Sequence, residues 1–136
     1  QWDDSTNAGF SSAPASDLYI AMDPDKDRPT AKKEMAAPDS LYHEVKKLIR
    51  IRQSHKALQS RGKITFVYAE KNAYPLAYIR EDGDEKILVI INAAAEAKTF
   101  ACDAEPKEAI YNFGAAAEAK NGKITVPAQS AGFYRI

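Results

Sequence analysis

The chain has 136 residues, of which 45% are hydrophobic and 28% are charged, a size and composition typical of one domain. Its 19 basic and 19 acidic side chains balance, which removes the long-range attraction that draws basic proteins to nucleic acid or anionic lipid. A single cysteine excludes an intramolecular disulfide, and no apolar run reaches the length of about 18 residues that a membrane helix needs, so neither nucleic acid nor a membrane is an expected partner.

Residues 1–38 are predicted to be an irregular loop segment. They contain four of the seven prolines and show neither a helical nor a strand-like apolar period. Loops longer than about 15 residues are uncommon in a compact domain, and they often indicate a functional loop or a missing neighbour. We therefore expect this segment, which opens abruptly with QWDDSTNAGF, to be the end of a larger body.

Acidic residues in this segment recur at the spacing of a calcium-binding loop. Positions one, three, five and twelve of such a loop supply oxygen ligands, and here they are Asp23, Asp25, Asp27 and Glu34. Arg28 stands at the sixth position, where the sharp turn requires glycine. A solvated acidic loop is the preferred interpretation, calcium is the one candidate ion, and no other cofactor is predicted.

Residues 39–61 form the clearest predicted helix of the chain. Asp39 or Ser40 can cap its first turn, and Gly62 can end it. About 20 residues at 1.5 Å each give a helix about 30 Å long. Its apolar stripe requires a partner surface and consists of Leu41, Val45, Leu48 and Ile49.

Residues 62–136 are predicted to form an antiparallel two-layer β-sandwich, Greek-key-like and of about seven strands, so that the chain is mainly β. The run from 87 to 91 is apolar on both faces and is predicted to be a central strand. Asn, Asp and Gly tolerate the positive φ of tight hairpins, which are predicted at Asp82-Gly83 and Asn121-Gly122. Two alanine-rich stretches are predicted to be connecting turns: 93–97 and 115–119.

The remaining candidates for chemistry each have a simpler structural explanation. His43 and His55 are separated by twelve residues of predicted helix, about 18 Å, so they cannot share a metal ion. Cys102 is predicted to be a buried thiol without a catalytic partner. Exposed aromatic rings can stack on sugars, and Tyr74, beside a predicted turn, is the first candidate for such a platform.

Taken in chain order, these stretches resemble the α-amylase family of glycoside hydrolases, and within it the oligo-1,6-glucosidase and α-glucosidase group. QWD and the NAGF turn resemble the last βα connection of that family's (β/α)8 barrel. PDSLYHEVKKLIRIRQSHKAL resembles its final barrel helix, and YPLAYIRE with KILVIIN resembles strands of its small antiparallel C-terminal domain. The resemblance covers the whole chain.

The resemblance implies that the family's catalytic carboxylates lie upstream of Gln1, so that this chain holds no catalytic residue. Gln1, Trp2 and Asp3 would shape the rim of the substrate pocket of the parent enzyme. The implied role is that of a non-catalytic C-terminal part of an α-glucosidase-like hydrolase of α-linked gluco-oligosaccharides, which stabilises a missing catalytic barrel. A free-standing carbohydrate-binding β-sandwich is the alternative, and the sequence decides neither the substrate linkage nor the cellular compartment.

Overall fold

In the computed structural model, which describes residues 1–136, the chain divides into two units, Gln1–Arg50 and Ile51–Ile136. Turns and helices make up the first unit, and antiparallel strands make up most of the second. The prediction of a mainly β chain with two antiparallel sheets is confirmed. None of the helices combines the length and the apolar character that crossing a membrane requires.

The first unit contains little regular structure before residue 31. Short 3-10 turns at Thr6–Gly9 and Ala15–Asp17 precede helix α1, Ala31–Ala36, which the sequence pattern did not predict. Thr30 caps α1, because its side chain accepts a hydrogen bond from the Lys33 amide at 3.2 Å. With six residues, α1 is too short to show an apolar period, and its cap is the only local signal.

Helix α2 spans Leu41–Ser54 and is shorter than the predicted helix. The backbone leaves the helical conformation at His55, with φ −121° and ψ 116°, before a 3-10 turn at Lys56–Leu58. None of the α2 residues is buried. Three residues of the predicted apolar stripe are exposed, with fractions of 74% at Leu41, 44% at Val45 and 51% at Ile49, and Leu48 is partly buried.

Eight antiparallel strands build the two sheets of the second unit. The large sheet has the order β1-β2-β3-β8-β5, and the small sheet has the order β4-β7-β6. The strands are β1 Lys63–Tyr68, β2 Leu76–Asp82, β3 Glu85–Asn92, β4 Lys98–Ala101, β5 Glu108–Phe113, β6 Glu118–Lys120, β7 Lys123–Val126 and β8 Ser130–Arg135.

Both predicted hairpins are present. The turn between β2 and β3 passes through Gly83 at φ 59°, and the turn between β6 and β7 passes through Asn121 and Gly122 at φ 52° and 69°. The second hairpin corrects one prediction, because β6 occupies part of the alanine-rich stretch 115–119 that was predicted to be a turn. Pairing with β7 overrides the low strand propensity of alanine there.

The main core lies between the two sheets. Its buried side chains come from both of them: Ala77, Leu88, Ile90, Phe100, Cys102, Ile124, Val126 and Tyr134. The Tyr134 hydroxyl donates to Asn112 Oδ1 at 2.7 Å and accepts from the Ala117 amide at 3.0 Å. Gly132 leaves the space for this ring, since a Cβ at that position would lie 2.3 Å from the Tyr134 hydroxyl oxygen.

A second cluster lies on the opposite face of the large sheet, called here the outer face. Ile87 and Val89 alternate along β3 with core residues and therefore point away from the small sheet. Ala57, Leu58 and Ile51 belong to the same cluster and pack on them. Strand β3 is thus central and apolar on both faces, as predicted from its sequence.

Candidate functional site

The N-terminal residues predicted to lie on a pocket rim form a tight turn in the first unit. The amides of Trp2 and Asp3 both donate to the Ala8 carbonyl, at 2.9 and 3.4 Å. Three successive residues, Asn7, Ala8 and Gly9, have positive φ angles of 52°, 51° and 78°. This conformation is unfavourable for the two residues that carry a Cβ, and such strain concentrates at functional sites.

The buried Asn7 side chain holds this turn in place. Its amide nitrogen donates to the carbonyl oxygens of Ser11 at 2.9 Å and Ala13 at 2.7 Å. Trp2 and Phe10 project from the turn in an edge-to-face pair, with ring centroids 6.3 Å apart. Both rings are about 60% exposed, so the turn presents two aromatic surfaces to its surroundings.

The same N-terminal residues complete the start of helix α1. The Ala31 amide donates to the Gln1 carbonyl and the Lys32 amide donates to the Trp2 carbonyl, both at 2.9 Å. The first amides of a helix have no hydrogen-bond partner within the helix. Here carbonyl groups of the N-terminal segment accept the hydrogen bonds of two of these amides. Gln1 and Trp2 are therefore fixed through their backbone, whereas the Trp2 side chain remains exposed.

Asp3 and Asp4 are each bound to a neighbour. The Asp3 carboxylate accepts hydrogen bonds from the Ser5 hydroxyl and the Ser5 amide, which lower its pKa below the usual value. Hydrogen bonds of this kind favour the ionised form of the Asp3 carboxyl group. Asp4 pairs with Lys33 at 3.3 Å. A surface cavity of about 370 Å³ adjoins both acids and is lined by Asp3, Asp4, Ser5, Lys32, Lys33 and Ala36.

The acidic loop does not assemble as a metal site. Asp23 accepts a hydrogen bond from the Asp25 amide at 3.0 Å, and Asp25 accepts one from the Asp27 amide at 2.8 Å, so two carboxylates support their own turns. Nowhere in residues 1–136 do three or more His, Cys, Asp or Glu side chains form a group that could hold a metal ion. The geometry of the loop, including Glu34, gives the calcium hypothesis no support.

Three other candidate residues of the sequence analysis are Tyr74, Cys102 and His43. Tyr74 is 46% exposed in the bend that precedes β2, and its role as a sugar platform stays a prediction. Cys102 is buried, as predicted, and burial raises the pKa of its thiol, which makes it a poor nucleophile. His43 Nε2 lies 3.1 Å from the Met35 carbonyl oxygen.

A polar cluster that the sequence did not reveal joins the turn after α2 to the large sheet. His55 Nδ1 lies 2.6 Å from Glu85 Oε1, and Glu85 Oε2 accepts a hydrogen bond from the Ala57 amide at 2.9 Å. Arg135 lies 3.8 Å from Glu85 and 3.2 Å from Glu108. These residues are far apart in sequence, and no periodicity or motif connects them.

Replacing Glu85 by Gln should destabilise the protein in a pH-dependent way. Burial raises the pKa of Glu85, but hydrogen bonds from Ala57 and His55 and attraction to His55 and Arg135 lower it by more. Because the folded-state pKa lies below the unfolded value of about 4.3, the stabilisation is present above that pH and is lost as the pH falls through the folded pKa. We expect Glu85→Gln to lose about 1.5–3 kcal/mol at pH 7, the usual worth of hydrogen bonds to a charged group.

Urea unfolding at pH 7 and pH 3 measures this loss above and below the pKa of Glu in the unfolded chain. The loss should be smaller at pH 3, because the unfolded chain then takes up a proton at this residue more readily than the folded chain, which removes part of the stabilisation. The exposed Glu105→Gln variant provides the matched control and should resemble the wild type at both pH values. Equal losses for Glu85→Gln at the two pH values would contradict this account of the cluster.

Comparison with known proteins identifies the class to which these features belong. Residues 1–61, which include the N-terminal turn and both α-helices, match the family model described as alpha amylase, catalytic domain. The resemblance of its motifs to the α-amylase family of glycoside hydrolases is confirmed by this match.

Individual relatives extend the match beyond residue 61. The glucan 1,6-alpha-glucosidase of Streptococcus pneumoniae is 29% identical over 127 residues, which are 93% of this chain and 23% of that protein. The oligo-1,6-glucosidase of Parageobacillus thermoglucosidasius is 33% identical over 100 residues, 74% of this chain and 17% of that protein. The crystal structure of trehalulose synthase MutB from Pseudomonas mesoacidophila matches 99% of this chain and 24% of its own, with 29% identity and a TM-score of 0.79.

The chain therefore spans about a quarter or less of the length of the relatives it matches. It corresponds to one part of these longer proteins.

Proposed function

We propose that the chain is the non-catalytic C-terminal part of an α-glucosidase-like hydrolase that acts on α-linked gluco-oligosaccharides. In this proposal, residues 1–38 end the catalytic barrel, residues 39–61 form its last helix, and residues 62–136 form a separate β-domain. One observation carries the proposal: the catalytic-domain match ends at residue 61, whereas the relatives match far beyond it and are about four times as long. The two curated relatives described above are named glucosidases.

The chemistry of the N-terminal turn agrees with a role at the pocket rim. Glycoside cleavage uses one protonated and one ionised carboxyl group on opposite sides of the sugar bond. Asp3 is held ionised by Ser5, and Asp4 is paired with Lys33, so this pair does not supply the two states. The exposed Trp2 ring instead offers an apolar surface of the kind that contacts sugars.

The exposed apolar side chains of α2 support a stabilising role. Leu41, Val45 and Ile49 are 74%, 44% and 51% exposed, although burying such a side chain contributes about 1.5–3 kcal/mol. Contiguous apolar surface of this kind marks a place where another body packs. The upstream part of the barrel supplies that body, and the contact stabilises both partners.

A hybrid enzyme tests the proposal. Residues 1–136 replace the matching region of the Streptococcus pneumoniae glucan 1,6-alpha-glucosidase, and glucose release from isomaltotriose is measured. We expect the hybrid to hydrolyse the substrate and the isolated chain to release no glucose, because the catalytic carboxylates come from the host. Deleting the region from the host should abolish activity through loss of stability, detected as a lower melting temperature.

The alternative, a free-standing carbohydrate-binding module, predicts different results. Under that alternative, titration of the isolated chain with maltose or isomaltose changes tryptophan fluorescence in a saturable way, and Tyr74→Ala weakens the binding. The proposal predicts no saturable change. An inactive but folded hybrid together with saturable sugar binding by the isolated chain would replace the proposal by the alternative.

A further inference from the structure

We infer that Asn121, in the turn between β6 and β7, is a site of spontaneous deamidation. The reaction needs water as its only co-reactant and no enzyme, and it converts the asparagine to aspartate or to isoaspartate. The inference is independent of the proposed function, because it concerns the chemistry of one hairpin of the small sheet.

The five asparagines of the chain differ in how firmly their side chains are held. The side-chain nitrogens of Asn7 and Asn92 donate to backbone carbonyl groups, two at Asn7 and three at Asn92. Asn112 Oδ1 accepts a hydrogen bond from a tyrosine hydroxyl. Asn72 and Asn121 are instead exposed in turns, and their side chains make no hydrogen bond. Only these two side chains are free to react.

The residue that follows distinguishes Asn121 from Asn72. Both have the same left-handed backbone conformation, with φ angles of 52° and 57°. Deamidation begins when the backbone nitrogen of the next residue attacks the side-chain carbonyl carbon, and a Cβ on that residue hinders the approach. Asn72 precedes Ala73, whereas Asn121 precedes Gly122. Beyond the adjacent residues, no heavy atom lies within 4 Å of the place where a Cβ of Gly122 would be, so the attack at Asn121 is unhindered.

The reaction balances without an oxidant or a reductant. The Gly122 nitrogen forms a bond to Cγ of Asn121 and gives up its proton, while the bond from Cγ to Nδ2 breaks and ammonia leaves. The product is a five-membered imide ring, which one water molecule then opens at either of its two carbonyl groups. One opening gives aspartate, and the other gives isoaspartate, in which the main chain runs through the former side chain.

The hairpin can open locally to let the ring form. Ring closure requires the backbone at Asn121 to leave its tight-turn conformation. Strand β6 has three residues, all of them exposed, and it pairs with β7 alone. A segment with so few buried contacts opens at a free energy well below that of global unfolding. We therefore expect the reaction to proceed in the folded chain.

The two products affect the hairpin differently. Two residues separate Lys120 from Lys123, which pair across the turn and flank it with positive charge. The aspartate product places a carboxylate between these lysines and leaves an Asp-Gly sequence, which is itself favourable in a two-residue hairpin. The isoaspartate product adds one methylene group to the main chain of the turn. A lengthened main chain does not fit the two-residue turn, so this product weakens the pairing of β6 with β7.

Ageing of the 136-residue chain in a mildly alkaline buffer, followed by peptide mapping, tests the inference. A protease that cleaves after glutamate releases the Asn121 peptide, 119–136, and the Asn72 peptide, 71–81, each with a single asparagine. Deamidation adds about 1 Da, the difference between an amide NH2 and a hydroxyl group. This gain should appear in several-fold more molecules of the Asn121 peptide than of the Asn72 peptide. Circular dichroism during ageing verifies that the chain stays folded.

Two substitutions isolate the effect of the following residue. Ala73→Gly, at an exposed position, should raise the deamidated share of the Asn72 peptide several-fold. Gly122→Ala should lower the deamidated share of the Asn121 peptide. Because residue 122 has a φ of 69°, this second variant also carries backbone strain. Ala73→Gly therefore decides the test if Gly122→Ala does not fold.

The structural consequence has its own measurement. Asn121→Asp reproduces the aspartate product and should melt within about 2 °C of the wild type, as surface substitutions usually do. The isoaspartate fraction, isolated from the aged chain by chromatography, should melt at a lower temperature than Asn121→Asp.

Three outcomes would overturn the inference. One is an equal deamidated share of the two peptides in the aged wild type, because the glycine then has no effect. Another is deamidation of the Asn121 peptide only after the chain is unfolded in urea, because the folded hairpin then protects the asparagine. The third is an Asn72 peptide that Ala73→Gly leaves unchanged. None of these outcomes bears on the proposed function, which the activity of the hybrid enzyme tests separately.

Discussion

Gly132→Ala is expected to destabilise the chain by about 3 kcal/mol, the upper end of the usual effect of overpacking a core. A Cβ at this position would lie 2.3–2.5 Å from three atoms of the Tyr134 ring. The ring cannot move aside without breaking its hydroxyl contacts with Asn112 and Ala117. Urea unfolding of the 136-residue chain measures the loss.

The cause can be isolated in a background without the ring. In Tyr134→Ala the space above Gly132 is empty, so adding Gly132→Ala should have little further effect. The difference between the two backgrounds is the interaction energy between the new methyl group and the ring. An equally large effect of Gly132→Ala in both backgrounds would show that the backbone, and not Tyr134, requires the glycine.

Ile90→Ala is expected to lose about 2–5 kcal/mol, because it leaves a cavity among buried apolar side chains. Ile90 is fully buried between the two sheets and packs in the cluster that includes Phe100 and Ile124. A loss of this size is a large fraction of the total stability of a small domain, about 5–15 kcal/mol. Thermal unfolding followed by circular dichroism should show a markedly lower midpoint.

Ile64→Ala provides the matched control for this core substitution. Ile64 lies in the edge strand β1 and is 47% exposed, so the same change there should alter stability by less than about 1 kcal/mol. Comparable losses for the two variants would mean that the sheets do not enclose Ile90 as described. The comparison is made in the isolated chain.

The sandwich was predictable because its strands carry strong local signals. The run from 87 to 91 is apolar at every position, and the structure uses both of its faces, one for the core and one for Ala57 and Leu58. The Asp82-Gly83 and Asn121-Gly122 turns were predictable from φ preferences alone. At these positions the local sequence preferences agree with the strand pairing in the structure.

Tertiary contacts decided the elements that the sequence pattern missed. Strand β6 forms because Ala119 and its neighbours pair with β7. The alanine-rich sequence of this stretch does not predict that pairing. Helix α2 ends at Ser54, although the predicted helix extends to residue 61. Glu85, thirty residues away, binds His55 and the Ala57 amide there, and single-sequence periodicity contains no information about such a contact.

The candidate site was predictable only in part. The N-terminal motif pointed to Trp2 and Asp3 through its family resemblance, and the family is confirmed. The left-handed conformation of Asn7 and Ala8 could not be predicted from the apolar pattern, because it depends on hydrogen bonds made by the buried Asn7 side-chain amide. The apolar row through Val89 on the outer face required the strand register, which aligns residues from β1, β2, β3, β8 and β5.

The hydrogen bonds from α1 to Gln1 and Trp2 close a loop that consists of residues 3–30. The entropy lost on closing a flexible loop grows with the logarithm of its length, by only roughly 0.6 kcal/mol for each doubling. The exposed acidic stretch after Pro14 can therefore be lengthened considerably without detaching either end of the loop. A peptide tag or a reporter domain inserted there should leave the rest of the polypeptide undisturbed.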